Sequence, residues 1–355
     1  MNFSGDMAHS GKTAWRSPSN IALVKYWGKK GFQIPANPSV SMSLTKCYTE
    51  TSVEYFRKSG LKEPVLSFLF SGMKNIIFEK RLKKYIDIVR EEYPQLKNLN
   101  LKIESSNSFP SSAGIASSAS SFSSIALCLT TIINELSGAE IDEDTFFRRA
   151  SSLARLGSGS ASRSVYGGWV LWGKTAEISG SSDEYAIPVS DLVHGKFKEF
   201  YDSILVVDSG EKIVSSSYGH AIMEKNPYKE LRAMRGMSNA KKLLNGLING
   251  DEKNFTRIVE DEAADLHAML LTSKPGFILV KPETLRIISK LKQFREDTGA
   301  AISFTLDAGP NVHILYPAAA RESILAFIGS DLAALCENGK WIDDRTGCGP
   351  ELKNP

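Results

Sequence analysis

A nine-residue segment near the middle of the chain combines small residues with two arginines. It reads Arg155-Leu-Gly-Ser-Gly-Ser-Ala-Ser-Arg163. Glycine lets a backbone approach a ligand closely, serine supplies hydroxyl donors, and arginine offers a planar fork for carboxylate or phosphate. A flexible linker shares the small residues but has no need of the flanking arginines. The segment therefore predicts an anion site, and leaves open whether the anion is a phosphate or a carboxylate.

A serine-rich tract, residues 107–122, is the second candidate for anion binding. Apolar residues recur from there at helical spacing, namely Ile115, Ala119, Phe122, Ala126, Leu129 and Ile133, so the tract leads into a helix and is not a linker. Free amides and serine hydroxyls at a helix start, together with the helix dipole, bind phosphate. The Gly-Lys-Ser/Thr ending of a Walker A loop is missing. We expect a phosphate site here rather than simple capping.

Lys25 lies at the end of an apolar segment, followed by Tyr26, Trp27 and Lys29. This position fits a lysine on an edge strand whose side chain extends to water, and it equally fits a residue on the rim of a ligand site. Asp307 lies where two alternating segments turn. It is either a residue that caps its own turn or a carboxylate base on a rigid one.

His267 follows an acidic run of Glu260, Asp261, Glu262 and Asp265. A histidine on such a helix is usually structural, so we assign it no function. The acidic run is typical of a solvated helix face.

The pattern of the chain predicts mixed secondary structure around these residues. Strands are expected at 20–27, 39–44, 50–56, 99–104, 168–173 and 203–208, with two more in 301–316; helices are expected at 79–93, 142–156, 226–249, 251–271, 282–298 and 325–336. This order indicates an α+β protein with two domains and a seam near 185–195. Residues 1–15 are polar and are expected to form a disordered leader.

Bulk properties exclude several function classes. The 355 residues carry a net charge of +3, so no nucleic-acid footprint is expected. We find no apolar run that should span a membrane and no secretory signal. The cysteines lack CxxC spacing and the histidines are dispersed, which indicates reduced thiols in a cytoplasm and no metal cluster built by the protein. A metal, if used, should arrive with a ligand.

Four blocks together resemble the diphosphomevalonate decarboxylase family of the GHMP kinase superfamily: residues 20–29, 109–119, 157–163 and 307–311. The resemblance implies the two-domain α+β GHMP kinase fold. An N-terminal ATP-binding domain of the ribosomal protein S5 domain 2-like type would span 16–190. A C-terminal GHMP kinase domain with the catalytic aspartate would span 191–355.

The same resemblance implies an activity. It is the ATP-dependent decarboxylation of (R)-5-diphosphomevalonate to isopentenyl diphosphate, with release of ADP, phosphate and CO2, in the mevalonate pathway. ATP and Mg2+ would be required, with the metal bridging nucleotide oxygens. A homodimer is carried over from the family, beside the cytoplasmic location and the absence of nucleic-acid and membrane partners expected from composition.

Residue roles follow from the matched positions. Asp307 would be the base at the 3-hydroxyl, Lys25 would favour its ionised form, and Arg163 would hold the substrate carboxylate with help from Asn20. The substrate's diphosphate side is matched by Tyr26, Lys29, Ser158, Ser160 and, on a thinner match, Arg81. The ATP phosphates are matched by Ser111, Ser112, Ala113, Gly114, Ile115, Ala116, Ser117 and Ser118.

Two residues and one segment depart from the family pattern. Pro38 stands where the family usually has serine, and Ser162 stands where it commonly has cysteine. Residues 61–77 match the family poorly.

Two alternative functions remain. A related enzyme would decarboxylate phosphomevalonate or mevalonate, or stop after phosphorylating the 3-hydroxyl. A binding protein that has lost turnover would lack catalytic residues, whereas Asp307 and Arg163 are both present.

Overall fold

The computed structural model describes residues 10–57, 64–110, 115–210 and 216–354. It is an α+β structure, as expected. Its strands are β1 (Ser10–Ala22), β2 (Lys29–Gly31), β3 (Ile34–Pro35), β4 (Ser39–Arg57), β5 (Leu66–Phe70), β6 (Met73–Lys74), β7 (Leu99–Asn107), β8 (Trp169–Trp172), β9 (Ala186–Pro188), β10 (Phe200–Leu205), β11 (Ser303–Leu306), β12 (Val312–Pro317), β13 (Trp341–Arg345) and β14 (Glu351–Lys353). Its helices are α1 (Ile76–Glu92), α2 (Ser117–Ser137), α3 (Glu143–Gly157), α4 (Ser216–Met223), α5 (Lys229–Asn249), α6 (Glu252–Leu271), α7 (Pro282–Thr298) and α8 (Arg321–Phe327).

The first sheet is organised around the long strand β4. Its strands follow the order β14-β1-β4-β7-β5-β6. The first part of β4 pairs with β8, which in turn pairs with β9, and its second part pairs with β7. Because β1 lies on the other side of β4, the loop after β1 comes near the segment that leads into β8.

The second sheet has the order β11-β12-β10-β13, and all its pairs are antiparallel. β11 and β12 form a hairpin in which Leu306 faces Val312. The expected pair of strands around a turn is therefore confirmed, and Asp307 is the first residue of that turn.

A buried apolar cluster joins the two halves of the chain. It contains Ile21, Leu23 and Val40 from the first sheet together with Leu243 of α5 and Phe255 of α6. Strand β14, at the far end of the chain, pairs with β1. The division at 190/191 remains a prediction, since the apolar core crosses it and the last strand belongs to the first sheet.

Three expectations need correction. Residues 10–15 form the start of β1, and Trp15 is buried with its indole N–H donated to Thr131; they are not a disordered leader, and residues 1–9 lie outside the described part. The expected strand over 20–27 ends at Ala22, because the amides of Leu23 and Val24 both bind the Val40 carbonyl and so leave the ladder. The expected helix over 325–336 starts earlier and loses its α-helical form after Phe327.

One helix in the described residues, α2, has the length and composition of a membrane span, which the sequence analysis did not anticipate. Most of it is buried inside the protein, including Phe122, Ile125 and Leu129. It is therefore the central core helix of the first domain.

Candidate active site

A cavity of about 290 Å3 brings most of the expected residues together. Its lining includes Asn20, Lys25, Tyr26, Lys29, Arg81, Ala116, Ser117, Ser118, Ser158, Ser160, Arg163 and Asp307. They come from the end of β1 and the segment that leads to the start of β2, from α1, from the start of α2, from the segment after α3 and from the β11–β12 turn. Residues almost 290 positions apart in sequence thus face one space.

Lys25 and Asp307 form an ion pair at the centre of this cavity. The Lys25 Nζ lies 2.9 Å from Asp307 Oδ1 and also donates to the Ala22 carbonyl at 2.7 Å. The lysine side chain is 3% exposed and the aspartate side chain 27%. The lysine is therefore fixed behind the carboxylate, while the carboxylate itself is open to a ligand. An adjacent ammonium favours the ionised carboxylate.

Arg163 is buried against the same cavity wall. Its guanidinium donates to Ser39 Oγ at 3.0 Å and to Asn20 Oδ1 at 3.3 and 3.4 Å. The Asn20 amide donates in turn to Ser164 Oγ and to the Ser160 carbonyl. Burial lowers the pKa of Arg163 to about 10, partly offset by Asp307 and Tyr26. The guanidinium is held by neutral partners only, so its charge is available to an anion.

The segment that carries Arg163 is compact rather than flexible. Residues Gly159–Val165 form a short 3-10 helix, and most of its side chains are buried. A Cβ at Gly159 would lie 2.7 Å from the Tyr26 ring, so only glycine allows this approach. Arg155, by contrast, lies on α3 and binds the backbone carbonyls of Glu184, Phe32 and Gln33. It takes no part in the cavity lining.

The opposite end of the cavity is basic. Burial lowers the pKa of Lys29, and the charge of Arg81 adds to the effect. Burial also lowers the pKa of Arg81, which donates to the Gly157 carbonyl at 2.9 Å. Burial raises the pKa of the Tyr26 phenol, so the group stays protonated as a donor. The Ser158 hydroxyl lies 3.3 Å from that of Ser160 and 3.4 Å from that of Ser118.

The start of α2 faces the cavity without a side-chain cap. Ala116 precedes the helix in the left-handed region, with φ 43, and makes no side-chain hydrogen bond to it. Ser117 and Ser118 form the first turn and line the cavity. Ile115 does not line it, because its side chain is buried in the apolar cluster.

Ser111, Ser112, Ala113 and Gly114, which were expected at the ATP phosphates, lie outside the described residues.

The charge balance indicates the chemistry that the cavity accepts. Among the residues that the structure describes, the lining carries four cationic side chains, Lys25, Lys29, Arg81 and Arg163, against the one carboxylate of Asp307. An excess of buried positive charge is stabilised by a polyanion. The described residues contain no group of three or more histidine, cysteine or acidic side chains that could hold a metal. The arrangement can therefore hold phosphates and place a carboxylate base beside them.

Sequence reasoning missed two histidines at this site. His220 on α4 lines the cavity between the rings of Tyr26 and Trp27, at centroid distances of 4.4 and 5.1 Å. Burial and the charge of Lys29 lower its pKa to about 3. His267 lies with Nε2 3.1 Å from the Asp307 carbonyl oxygen. The sequence around His220, Gly219-His-Ala-Ile-Met223, gave no signal for it, and His267 was assigned no function.

Family models match both halves of the chain. Residues 17–186 match the diphosphomevalonate decarboxylase-like N-terminal domain, and residues 203–346 match the mevalonate 5-diphosphate decarboxylase C-terminal domain. The chain belongs to the diphosphomevalonate decarboxylase family. The expected GHMP kinase fold is confirmed by this match together with the solved structures of the family.

Individual members of this family resemble the chain along nearly all its length. The diphosphomevalonate decarboxylase of Eremothecium gossypii is 28% identical over 92% of this chain and 82% of its own length. The mevalonate diphosphate decarboxylase structure from Staphylococcus aureus has a TM-score of 0.82 at 30% identity and covers 97% of this chain and 98% of its own. The structure of MDDEF in complex with MVAPP, AMPPCP and magnesium has a TM-score of 0.80 at 28% identity, over 98% and 100% of the two chains.

Proposed function

We propose that this chain is a diphosphomevalonate decarboxylase. It converts (R)-5-diphosphomevalonate and ATP into isopentenyl diphosphate, ADP, phosphate and CO2, in isoprenoid biosynthesis by the mevalonate pathway. The observation that carries the proposal is the Lys25–Asp307 pair facing the buried Arg163 in one cationic cavity. Its relatives bear the same activity in their names.

Asp307 is the base of the first step. The tertiary 3-hydroxyl of the substrate is a poor leaving group, so it is first converted into a phosphate ester by ATP. The Asp307 carboxylate accepts the hydroxyl proton as the oxygen attacks the terminal phosphoryl group. Lys25 keeps that carboxylate ionised before transfer and offsets negative charge during it.

Arg163 directs the second step. Departure of the phosphate leaves positive charge at C3, and the electrons of the breaking bond to the carboxylate form the new double bond as CO2 leaves. A planar guanidinium matches a carboxylate in a bidentate manner, which an ammonium cannot do. Asn20, which binds Arg163 in the free enzyme, orients the guanidinium for this contact.

The remaining lining residues hold the phosphates. The substrate diphosphate is bound by the positive charges of Lys29 and Arg81 and by the hydroxyl donors of Tyr26, Ser158 and Ser160. The ATP phosphates are bound by Ser117, Ser118 and the amides at the start of α2, and the family match adds residues 111–116 to this group. This uncapped helix start and the surplus of cations suit a triphosphate.

Mg2+ fits the site as a partner of the nucleotide. MDDEF is described in complex with magnesium and AMPPCP, an ATP analogue. Because the described residues contain no acidic cluster that could hold a metal, nucleotide oxygens would supply most of its ligands, and Asp307 and Ser117, which line the cavity, would offer further oxygen donors. When bound, the ion neutralises phosphate charge during transfer.

Product analysis tests the proposal. The protein is incubated with Mg-ATP and, in separate reactions, diphosphomevalonate, phosphomevalonate or mevalonate, and ADP and CO2 are measured. We expect both products, in equal amounts, from diphosphomevalonate. ADP without CO2 would identify a 3-kinase, turnover of phosphomevalonate alone would reassign the substrate, and no turnover would indicate a binding protein.

We further propose a cytoplasmic homodimer. All four cysteines are free thiols, Cys47, Cys128, Cys336 and Cys348, which suits a reducing compartment. The dimer is carried over from the family. Light scattering after size exclusion should give twice the chain mass of 39.0 kDa; a monomer at micromolar concentration would refute it. Cell fractionation tests the compartment.

A further inference from the structure

Helix α6 contacts both members of the Lys25–Asp307 pair through their backbones. Glu262 accepts the Lys25 amide N–H at 2.8 Å through Oε2. His267, five residues later on the same helix, has Nε2 3.1 Å from the Asp307 carbonyl oxygen. Five residues of α-helix span about 7.5 Å, so α6 is a rigid spacer between the two backbones.

The Glu262 end of this spacer is held by a buried ion pair. Arg232 of α5 donates to Glu262 Oε2 at 2.5 Å, and Asn239 donates to Oε1 at 2.7 Å. Arg232 also donates to the Lys25 carbonyl at 3.3 Å. Both peptide groups of Lys25 are thus bound by the C-terminal half of the chain. Glu262 is fully buried, so the expectation of a solvated acidic face is wrong for this residue.

The backbone around Lys25 needs these partners. The chain has left the β1 ladder at Ala22, so the Lys25 peptide groups have no strand to pair with. Arg232, Gly236 and Asn239 share one face of α5, and a Cβ at Gly236 would lie 2.5 Å from Asn37 Cγ. Asn37 also donates to the Lys25 carbonyl. Glycine at 236 therefore lets the whole assembly close around Lys25.

At the other end of the spacer, an uncharged His267 imidazole is hydrogen-bonded to the Asp307 carbonyl oxygen. Burial lowers the pKa of His267, although its bond to the Asp307 carbonyl and the Asp307 charge oppose this; the Lys25 charge lowers it further. A carbonyl oxygen only accepts, so the ring must carry its proton on Nε2. The imidazole thereby holds the backbone of Asp307 and leaves its carboxylate to Lys25.

We infer that Glu262 and His267 are positioning residues of the reaction: α6 sets the distance between Lys25 and Asp307 and so keeps the base ionised and aimed at its substrate. The inference rests on the proposed function. A misplacement of about 1 Å at a reacting group costs roughly 100-fold in rate. Loss of either contact should therefore lower kcat and leave substrate binding nearly intact.

The test compares His267→Leu, His267→Gln and Glu262→Gln with the wild-type enzyme. Leucine removes the donor, whereas glutamine retains an amide donor and should restore part of kcat. Leu291→Ala, in the apolar core of α7, is the control for destabilisation without a change at the pair. For each variant, kcat, the KM of both substrates, the pH dependence of kcat and the unfolding midpoint are measured.

We expect His267→Leu and Glu262→Gln to lower kcat about tenfold to 100-fold, with KM within about twofold. The acid limb of kcat should move to higher pH, because Lys25 then favours the ionised carboxylate less. Leu291→Ala should lower the unfolding midpoint and leave the acid limb in place.

Folded His267→Leu enzyme with a normal kcat and acid limb would overturn the inference, as would losses confined to KM. If Glu262→Gln does not fold, the two His267 variants decide the outcome. A wild-type enzyme that releases no CO2 would instead refute the proposed function.

Discussion

Replacing Arg163 by lysine keeps a positive charge and removes the planar fork. In the folded protein the guanidinium reaches Ser39 on one side and Asn20 on the other. A single ammonium cannot span both. Arg163 is 2% exposed, so the replacement also places a lysine in the same dry environment.

Two effects contribute to the expected loss of decarboxylation rate in Arg163→Lys. Loss of one hydrogen bond to a charged group costs about 1.5–3 kcal/mol, which is about tenfold to 150-fold in rate at 1.36 kcal/mol per tenfold. The second effect depends on pH. Burial lowers the pKa of Arg163 from 12.5 to about 10, and burial at the same place should lower the pKa of a lysine below its ordinary value of about 10.4.

The direction of the pH dependence follows from which protonation state of the side chain at position 163 is active. The cation binds the substrate carboxylate, and it is lost as pH rises through the pKa. The lysine variant should therefore lose decarboxylation at a lower pH than the wild-type enzyme, because the pKa of lysine is ordinarily lower than that of arginine and burial lowers it further.

CO2 release at saturating Mg-ATP and diphosphomevalonate, between pH 6 and 9.5, measures both effects. Arg155→Lys is the matched control, since Arg155 is also a buried arginine but binds backbone carbonyls and does not itself line the cavity. It should reproduce the wild-type profile. Equal profiles for Arg163→Lys and the wild-type enzyme would refute the reasoning, because neither the fork nor the desolvated charge would then matter.

Further measurements test other parts of the site. Asp307→Asn should lower turnover by about 100-fold to 10,000-fold with diphosphomevalonate affinity retained in calorimetry; near-normal turnover would exclude Asp307 as the base. The folded protein favours neutral His220, whose pKa of about 3 lies below the ordinary 6.5, so stability is lost as pH falls below 6.5, by about 2 kcal/mol at pH 5. In urea unfolding, His220→Phe should lose less stability between pH 7.5 and 5 than the wild-type protein; an unchanged loss would show that folding does not lower the pKa of His220. Cys348 is exposed and the other three thiols are buried, so a thiol reagent should label one equivalent rapidly, and Cys348→Ser should abolish that phase.

The sequence was sufficient for features that depend on near neighbours. Helical periodicity predicted α7 with its observed bounds, and the apolar alternation on both sides of Asp307 predicted the β11–β12 hairpin. Four short blocks also identified the family and most of the cavity lining. Such features can be predicted from the sequence because a helix or a turn is determined largely by residues within a few positions.

Other features depended on distant partners. The acidic run on α6 is typical of a solvated face, and only the fold shows that Glu262 is buried against Arg232. His220 lies on a short helix without apolar periodicity, so no local signal marked it. β14 is three residues long, and its pairing with β1 joins the two ends of the chain.

By itself, the sequence determined the family and the mixed α+β class, and it supplied the residue types that we propose for the reaction: a carboxylate base, an ammonium beside it and a guanidinium for the leaving carboxylate. Only the tertiary structure decided how these groups are held. The contact between the Lys25 amide and Glu262 joins residues 237 positions apart. Whether a charged side chain is solvated or buried depends on the partner that meets it in three dimensions, and local sequence carries no record of that partner.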